Sequence, residues 1–120
     1  MSASVGIDLT SHEEVRDSID TFGERYLRRI YTPRELAECG QQASRLAARF
    51  ATKEAAAKAL RAPGGLPWRS IELRHGDSQA PRVVLSEPAA ALARERGVTD
   101  WNVSVSQTRS HAVAVVWAAP

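Results

Sequence analysis

The chain holds a single cysteine, Cys39, among its 120 residues. One thiol cannot close an internal disulfide, and no Cys/His spacing marks a zinc site. Long apolar runs are missing too. Nothing approaches the roughly 18 residues that a membrane-spanning helix requires. The opening MSASVGIDL has no basic segment leading into a long apolar one, so it does not read as a secretory signal. Repeats, linkers and low-complexity stretches are also lacking, which leaves a soluble domain expected in the cytoplasm. Charge of one sign is scarce: 16 Lys+Arg stand against 14 Asp+Glu, a net charge of +2. A nucleic-acid module needs a concentrated basic stripe with interleaved aromatics, and neither is present. The mild basic excess suits an acidic partner or a phosphate ligand instead.

What is there fits one domain, residues 1–120, large enough to bury about 65% of its unfolded surface. The β-branched, apolar SVGIDL predicts a strand ending at Asp8. Ser11 with Glu14 three residues on has capping-box spacing, which predicts a helix through about Asp20. Tyr26, Leu27 and Ile30 follow at helical spacing. Thr32–Pro33 opens a further helix that Gly40 ends, and a long helix is expected from about Ser44 to Arg61, stopped by APGG. In the second half SIELR and RVVLS read as strands around the turn-like HGDSQAP. SEPAAALARERG reads as a short helix capped by Ser86. WNVSVSQTRSHAVAVVWA reads as a hairpin whose second strand is mostly apolar and so buried. Helices crowd the first half and strands the second, so the class is α+β.

Within the long helix the stretch RFATKEAAAKAL sets Leu46, Phe50, Ala57 and Leu60 on one stripe at 100° per residue. Glu54 falls at its margin, with Lys58 one turn on. An exposed i,i+4 ion pair contributes only about 0.2–0.5 kcal/mol. Drawing a carboxylate out of water costs several kcal/mol unless it is paired or bound to metal. Either a surface pair or an acid and a cation aimed at a polar ligand fits the spacing. Asp8 is similarly double: a turn former or N-cap, or a rigidly held ligand for a hard cation.

SVSQTRSH, from Ser104 to His111, places hydroxyls, an amide and Arg109 at a hairpin tip, where they serve as a phosphate site or as a polar turn. His111 reads as a strand residue. The adjacent glycines of APGGLPW, Gly64 and Gly65, lie at a helix C-terminus. There glycine is common as a cap, and the helix dipole does not attract anions.

Three segments in this order, VGIDL, RFATKEAAAKAL and WNVSVSQT, resemble the holo-acyl-carrier-protein synthases, the small bacterial 4'-phosphopantetheinyl transferases. Their patterns run G-[IV]-D-[ILV], [RW]-F-x-x-K-E-A-x-x-K-A and [VI]-S-[IVL]-[ST]-H. The resemblance covers nearly the whole chain, and the mid-chain pattern is its most specific part. It implies a small antiparallel sheet with a long central helix, assembled as a homotrimer with active sites between subunits. It also implies transfer of the 4'-phosphopantetheine arm of coenzyme A to a serine of an apo acyl carrier protein, releasing adenosine 3',5'-bisphosphate.

Carried over, Asp8 and Glu54 bind Mg²⁺ and, with Lys58, form the catalytic set. Lys58 contacts the diphosphate of coenzyme A, and Arg49, Gly65, Ser106 and Gln107 are further candidates for holding it. Asp8 or a water is left to accept the serine proton. Gln107 stands where the pattern has histidine, and restoring that histidine is expected to raise or preserve the rate. A carrier-binding subunit that has lost catalysis is the alternative reading. For the acidic carrier the expected surface is Arg16, Arg25, Arg28 and Arg29, because SHEEVRD puts Glu13 and Glu14 where family members carry arginines.

Overall fold

Strand β1 (Ser4–Ser11) alternates, sending Ser4, Gly6, Asp8 and Thr10 inward and Val5, Ile7 and Leu9 outward. It runs three residues past Asp8 because it pairs antiparallel along its whole length with β5 (His111–Ala119). β5 also pairs antiparallel with β4 (Asp100–Gln107), giving a three-stranded sheet of order β1-β5-β4. A second antiparallel pair joins β2 (Ile71–Arg74) to β3 (Arg82–Leu85). This computed structural model describes residues 2–62, 64–75 and 79–120. Gly76, Asp77 and Ser78 of the expected β2–β3 turn, with Met1 and Pro63, lie outside the described residues.

Four helices follow β1 before the second pair of strands. Helix α1 (His12–Phe22) starts at Ser11, whose side chain accepts from the Glu14 backbone N–H at 2.9 Å. Helix α2 (Glu24–Ile30) follows Gly23. Helix α3 (Pro33–Cys39) carries a full capping box: Glu35 N–H donates to Thr32 Oγ1 at 3.1 Å, and Thr32 N–H donates to Glu35 Oε1 at 3.0 Å. Helix α4 (Ala43–Ala59) is the central element, covered by β1, β5, β2, α1 and α3. Its burial therefore exceeds one stripe: Ala47, Ala51, Thr52, Lys53, Ala55 and Ala56 are enclosed along with Leu46. A 3₁₀ turn (Trp68–Ser70) leads into β2. Helix α5 (Ala89–Glu95) begins after Pro88 rather than at Ser86, and its Ala91 N–H is taken by the Glu87 carboxylate at 3.0 Å.

Two local devices set α4 against the sheet. A Cβ built at Gly6 would lie 1.8 Å from the Ala55 carbonyl oxygen, so only glycine lets the helix backbone approach β1 this closely. Alanines at 51, 55, 56 and 59 keep the facing helix surface thin, and they share one core with Ala114, Val116 and Ala118 of β5. The apolar β5 is thus buried on one face only. Val115 and Trp117 point outward beside Val5, Ile7 and Leu9, with Asn102, Ser104 and Ser106 of β4 bordering the strip.

Candidate active site

Gly6 and Asp8 share the inward face of β1, so the contact that seats α4 also delivers Asp8 to it. Lys58 Nζ lies 3.3 Å from Asp8 Oδ1 and donates to the Ile7 carbonyl at 2.9 Å. Thr10 Oγ1 donates to Asp8 Oδ2 at 2.9 Å and holds the carboxylate from the other side. Glu54, one turn before Lys58, is half-buried. Its carboxyl is pushed above the ordinary glutamate range, first by loss of hydration and then by the negative charge of Asp8, against the pull of Lys58. Asp8 is thus brought to the turn of α4 that carries Glu54 and Lys58, although Glu54 lies 46 positions further along the chain.

A cleft of about 320 Å³ opens beside them, lined by Lys53, Glu54, Ala57, Gly64, Gly65, Leu66, Trp68 and Ile71. A second hollow of similar size shares Glu54, Ala57 and Gly65 and continues past Lys58 and Arg61. Glu54 therefore stands at the junction of an apolar slot and a cationic rim. Gly64 and Gly65 have φ of 77° and 79°, a left-handed pair that a side chain at either position would strain. Both glycines border the slot.

Lys53 is a structural residue of the cleft wall that sequence reasoning passed over. It lies beside Glu54 in the motif, yet its ammonium is fully buried and donates to Glu35 Oε1 at 2.6 Å, Trp68 O at 3.0 Å and Ile71 O at 2.5 Å. Burial pushes the Lys53 pKa down, and the charge of Glu35 opposes that. All three donors are used, so Lys53 pins the wall of the cleft to α4 instead of meeting a ligand. An i,i+1 pair Lys-Glu on one helix cannot share a face, and that spacing was the available signal.

The remaining candidates separate. Arg49 does not line the cleft: it is buried, with Nη2 3.4 Å from Glu38 Oε2 and 3.4 Å from the His75 carbonyl. Ser106 lies on the outer face of the sheet, next to the apolar strip. Gln107 spends its amide inside the chain, donating to Ser44 O at 2.8 Å and accepting from His12 Nε2 at 2.7 Å. His12 Nδ1 is 3.1 Å from Arg109 O, and the His12 backbone N–H donates to Ser110 O, so His12 clamps the hairpin tip. His111 begins β5 and pairs with Ser110 Oγ.

Of the four arginines, Arg25 and Arg29 line one groove of about 270 Å³ with Ser18, Phe22, Tyr26 and Ile30. Arg28 turns elsewhere, bound to Glu24 at 3.1 Å and lining a separate hollow with Arg69. Arg16 is exposed on α1 and borders neither. Among the described residues no group of three or more His, Cys, Asp or Glu gathers as a metal cage, and no helix is long and apolar enough to cross a membrane.

Residues 4–117 match the family described as the 4'-phosphopantetheinyl transferase superfamily. A holo-acyl-carrier-protein synthase of Koribacter versatilis (strain Ellin345) is 40% identical over 97% of both chains. One of Streptomyces avermitilis is 44% identical over 93% of both. Among solved structures, the holo-acyl-carrier-protein synthase of Helicobacter pylori in complex with coenzyme A superposes with a TM-score of 0.85 at 28% identity. That match covers 96% of this chain and 99% of the other.

Proposed function

The chain belongs to the 4'-phosphopantetheinyl transferase superfamily, and from that premise we propose how its residues move the 4'-phosphopantetheine arm of coenzyme A onto the serine of an apo acyl carrier protein. The activity is that of a holo-acyl-carrier-protein synthase, with adenosine 3',5'-bisphosphate as the leaving product. The observation that carries the residue assignment is the Lys58–Asp8 pair one helical turn from Glu54, which lines the apolar slot.

Diphosphate cleavage asks a protein for position and charge, with little covalent chemistry of its own. The slot walls of Ala57, Leu66, Trp68 and Ile71 suit the uncharged arm, and the rim of Lys58 and Arg61 suits the diphosphate. Lys58 is half exposed; its ammonium can leave Asp8 for a phosphate oxygen without losing buried contacts. Asp8, braced by Thr10, or a water beside it would take the proton of the incoming serine hydroxyl.

The donor set fits Mg²⁺. Loss of hydration and then the negative charge of Asp8 raise Glu54, and a cation held by the two carboxylates would relieve that. Mg²⁺ usually takes one or two carboxylates and fills its remaining positions with water and phosphate oxygens. Asp8 and Glu54 would hold it, and when bound it supplies neutralisation of the diphosphate charge.

The outward strip of Val5, Ile7, Leu9, Val115 and Trp117 is a run of exposed apolar side chains on neighbouring strands, and contiguous apolar surface of this kind marks interaction sites. It supports a homotrimer closed over this face, which would carry Ser106 into the boundary between subunits. Arg25 and Arg29 are the carrier-facing pair. A free, buried Cys39 needs no oxidising compartment, in keeping with work in the cytoplasm. Incubation with coenzyme A, Mg²⁺ and a panel of apo carriers, read by intact-mass spectrometry, tests the reading: the carrier gains the arm only when all three are present. No mass gain on any carrier would overturn it.

A further inference from the structure

The groove holding Arg25 and Arg29 does not stop at them. Through Ser18 and Tyr26 it continues into a smaller hollow of about 80 Å³ lined by Thr10, Glu14, Val15 and Phe50. Thr10 is hydrogen-bonded to Asp8, and Phe50 lies one helical turn before Glu54. A partner segment lying along the groove thus passes from a basic end to an acidic one before it reaches the reacting centre.

The two walls differ in charge. Helix α1 carries Glu13, Glu14, Asp17 and Asp20 against Arg16, whereas α2 carries Glu24 against Arg25, Arg28 and Arg29. Glu24 is taken by Arg28. Arg25 and Arg29, four residues apart, are left on the groove side without an ion-pair partner among the described residues. Glu14 likewise has no ion-pair partner among them. An acid in the first turn of α1 also suits the helix dipole, and that explains Glu13 and Glu14 equally. Only Glu14 lines the hollow. Phe22, well exposed at the basic end, adds an apolar contact.

We propose that this groove selects a carrier helix of mixed sign, with acids set against Arg25 and Arg29 and a cationic or neutral residue, never an acid, set against Glu14. This rests on the transferase reading and specifies its partner. Like charges across an interface slow encounter and weaken docking, while opposite charges do the reverse. Glu14 is therefore a specificity determinant that discriminates against carriers acidic along their whole docking helix.

The test uses the full chain with an apo acyl carrier protein that is acidic throughout the helix following its serine, and with single lysine replacements along that helix. Relative kcat/KM is measured for the wild type, Glu14→Gln, Glu14→Arg and Arg25→Glu/Arg29→Glu. At least one lysine-bearing carrier should outperform the acidic parent by about 3–10-fold on the wild type. Glu14→Arg should reverse that preference, through KM with kcat held, and Glu14→Gln should fall between. An unchanged ratio, within twofold, in Glu14→Arg of unaltered melting temperature overturns the proposal. Carrier binding by fluorescence anisotropy gives the same ratio without turnover, so absent transfer would count against the transferase reading alone. If Arg25→Glu/Arg29→Glu also leaves binding of the acidic parent unchanged, the groove is not the docking surface and the proposal falls with it.

Discussion

At the scale of single residues, Glu54 is kept in a place that ionisation makes uncomfortable. Dehydration and the charge of Asp8 raise its pKa, so the folded chain holds that proton more tightly than the unfolded one. Its contribution to stability is then complete below the ordinary glutamate range and is lost as pH rises through the elevated folded value. At neutral pH the ionised carboxylate is a burden that a bound cation or substrate relieves. Glu54→Gln should therefore melt slightly higher than the wild type at pH 7 without ligand. That advantage should vanish toward pH 4, and transfer should drop beyond the ~100-fold typical of losing a residue that merely supports a metal site. Melting curves at the two pH values and a single-turnover assay check both halves. Type and spacing alone leave Asp8, Glu54 and Lys58 open between a turn or surface pair and a ligand site; the resemblance of VGIDL and RFATKEAAAKAL to the family patterns is what singles them out. The physical reason for Gly6 was not legible, since it is the carbonyl of Ala55, 49 positions on.

Elements are tied together by buried polar groups whose value depends on every partner being present. Glu35 belongs to α3, yet it accepts from Thr32 N–H, from Lys53 of α4 and from Leu73 N–H of β2 at 3.1 Å. Removing only the cation leaves a buried carboxylate unpaired, so Lys53→Met should destabilise by about 3–5 kcal/mol. Adding Glu35→Gln should recover part of that, and urea titrations of both variants decide it. Gln107 is a second tie, joining β4 to the start of α4 and, through His12, to the start of α1. One imidazole cannot reproduce both amide contacts. Of the two outcomes expected from the family pattern, a raised or a preserved rate, these contacts favour the second, and Gln107→His should lower stability by about 1–2 kcal/mol. Calorimetry and steady-state kinetics on the same preparation measure the two effects. The strands, the long helix and most caps were legible from period and cap chemistry. The burial of α4 on nearly all sides was not, because a row of alanines reads alike whether one layer or several cover it. For the same reason Arg49 was expected to hold coenzyme A, and Lys53 drew no reading at all.

The whole molecule has a sheet with one face packed on α4 and the other carrying valine, isoleucine, leucine and tryptophan into solvent. Val115 sits at the middle of that outer face, between Ile7 on one neighbouring strand and Ser104 on the other. It contributes nothing to the monomer's core, whose β5 residues are Ala114, Val116 and Ala118. A charge at 115 therefore tests assembly without emptying the interior. In the proposed trimer, Val115→Glu would bury one carboxylate per subunit in the boundary between chains, where lost hydration opposes assembly. Light scattering should then find three chains in the wild type and one in the variant, with far-ultraviolet circular dichroism unchanged. Transfer should fall with the trimer, because the family resemblance implies active sites between subunits. A wild-type chain that scatters as a monomer while transferring at full rate would remove the trimer. The outer apolar face would then need another occupant, while the chemistry of Asp8, Glu54 and Lys58 would stand within one chain.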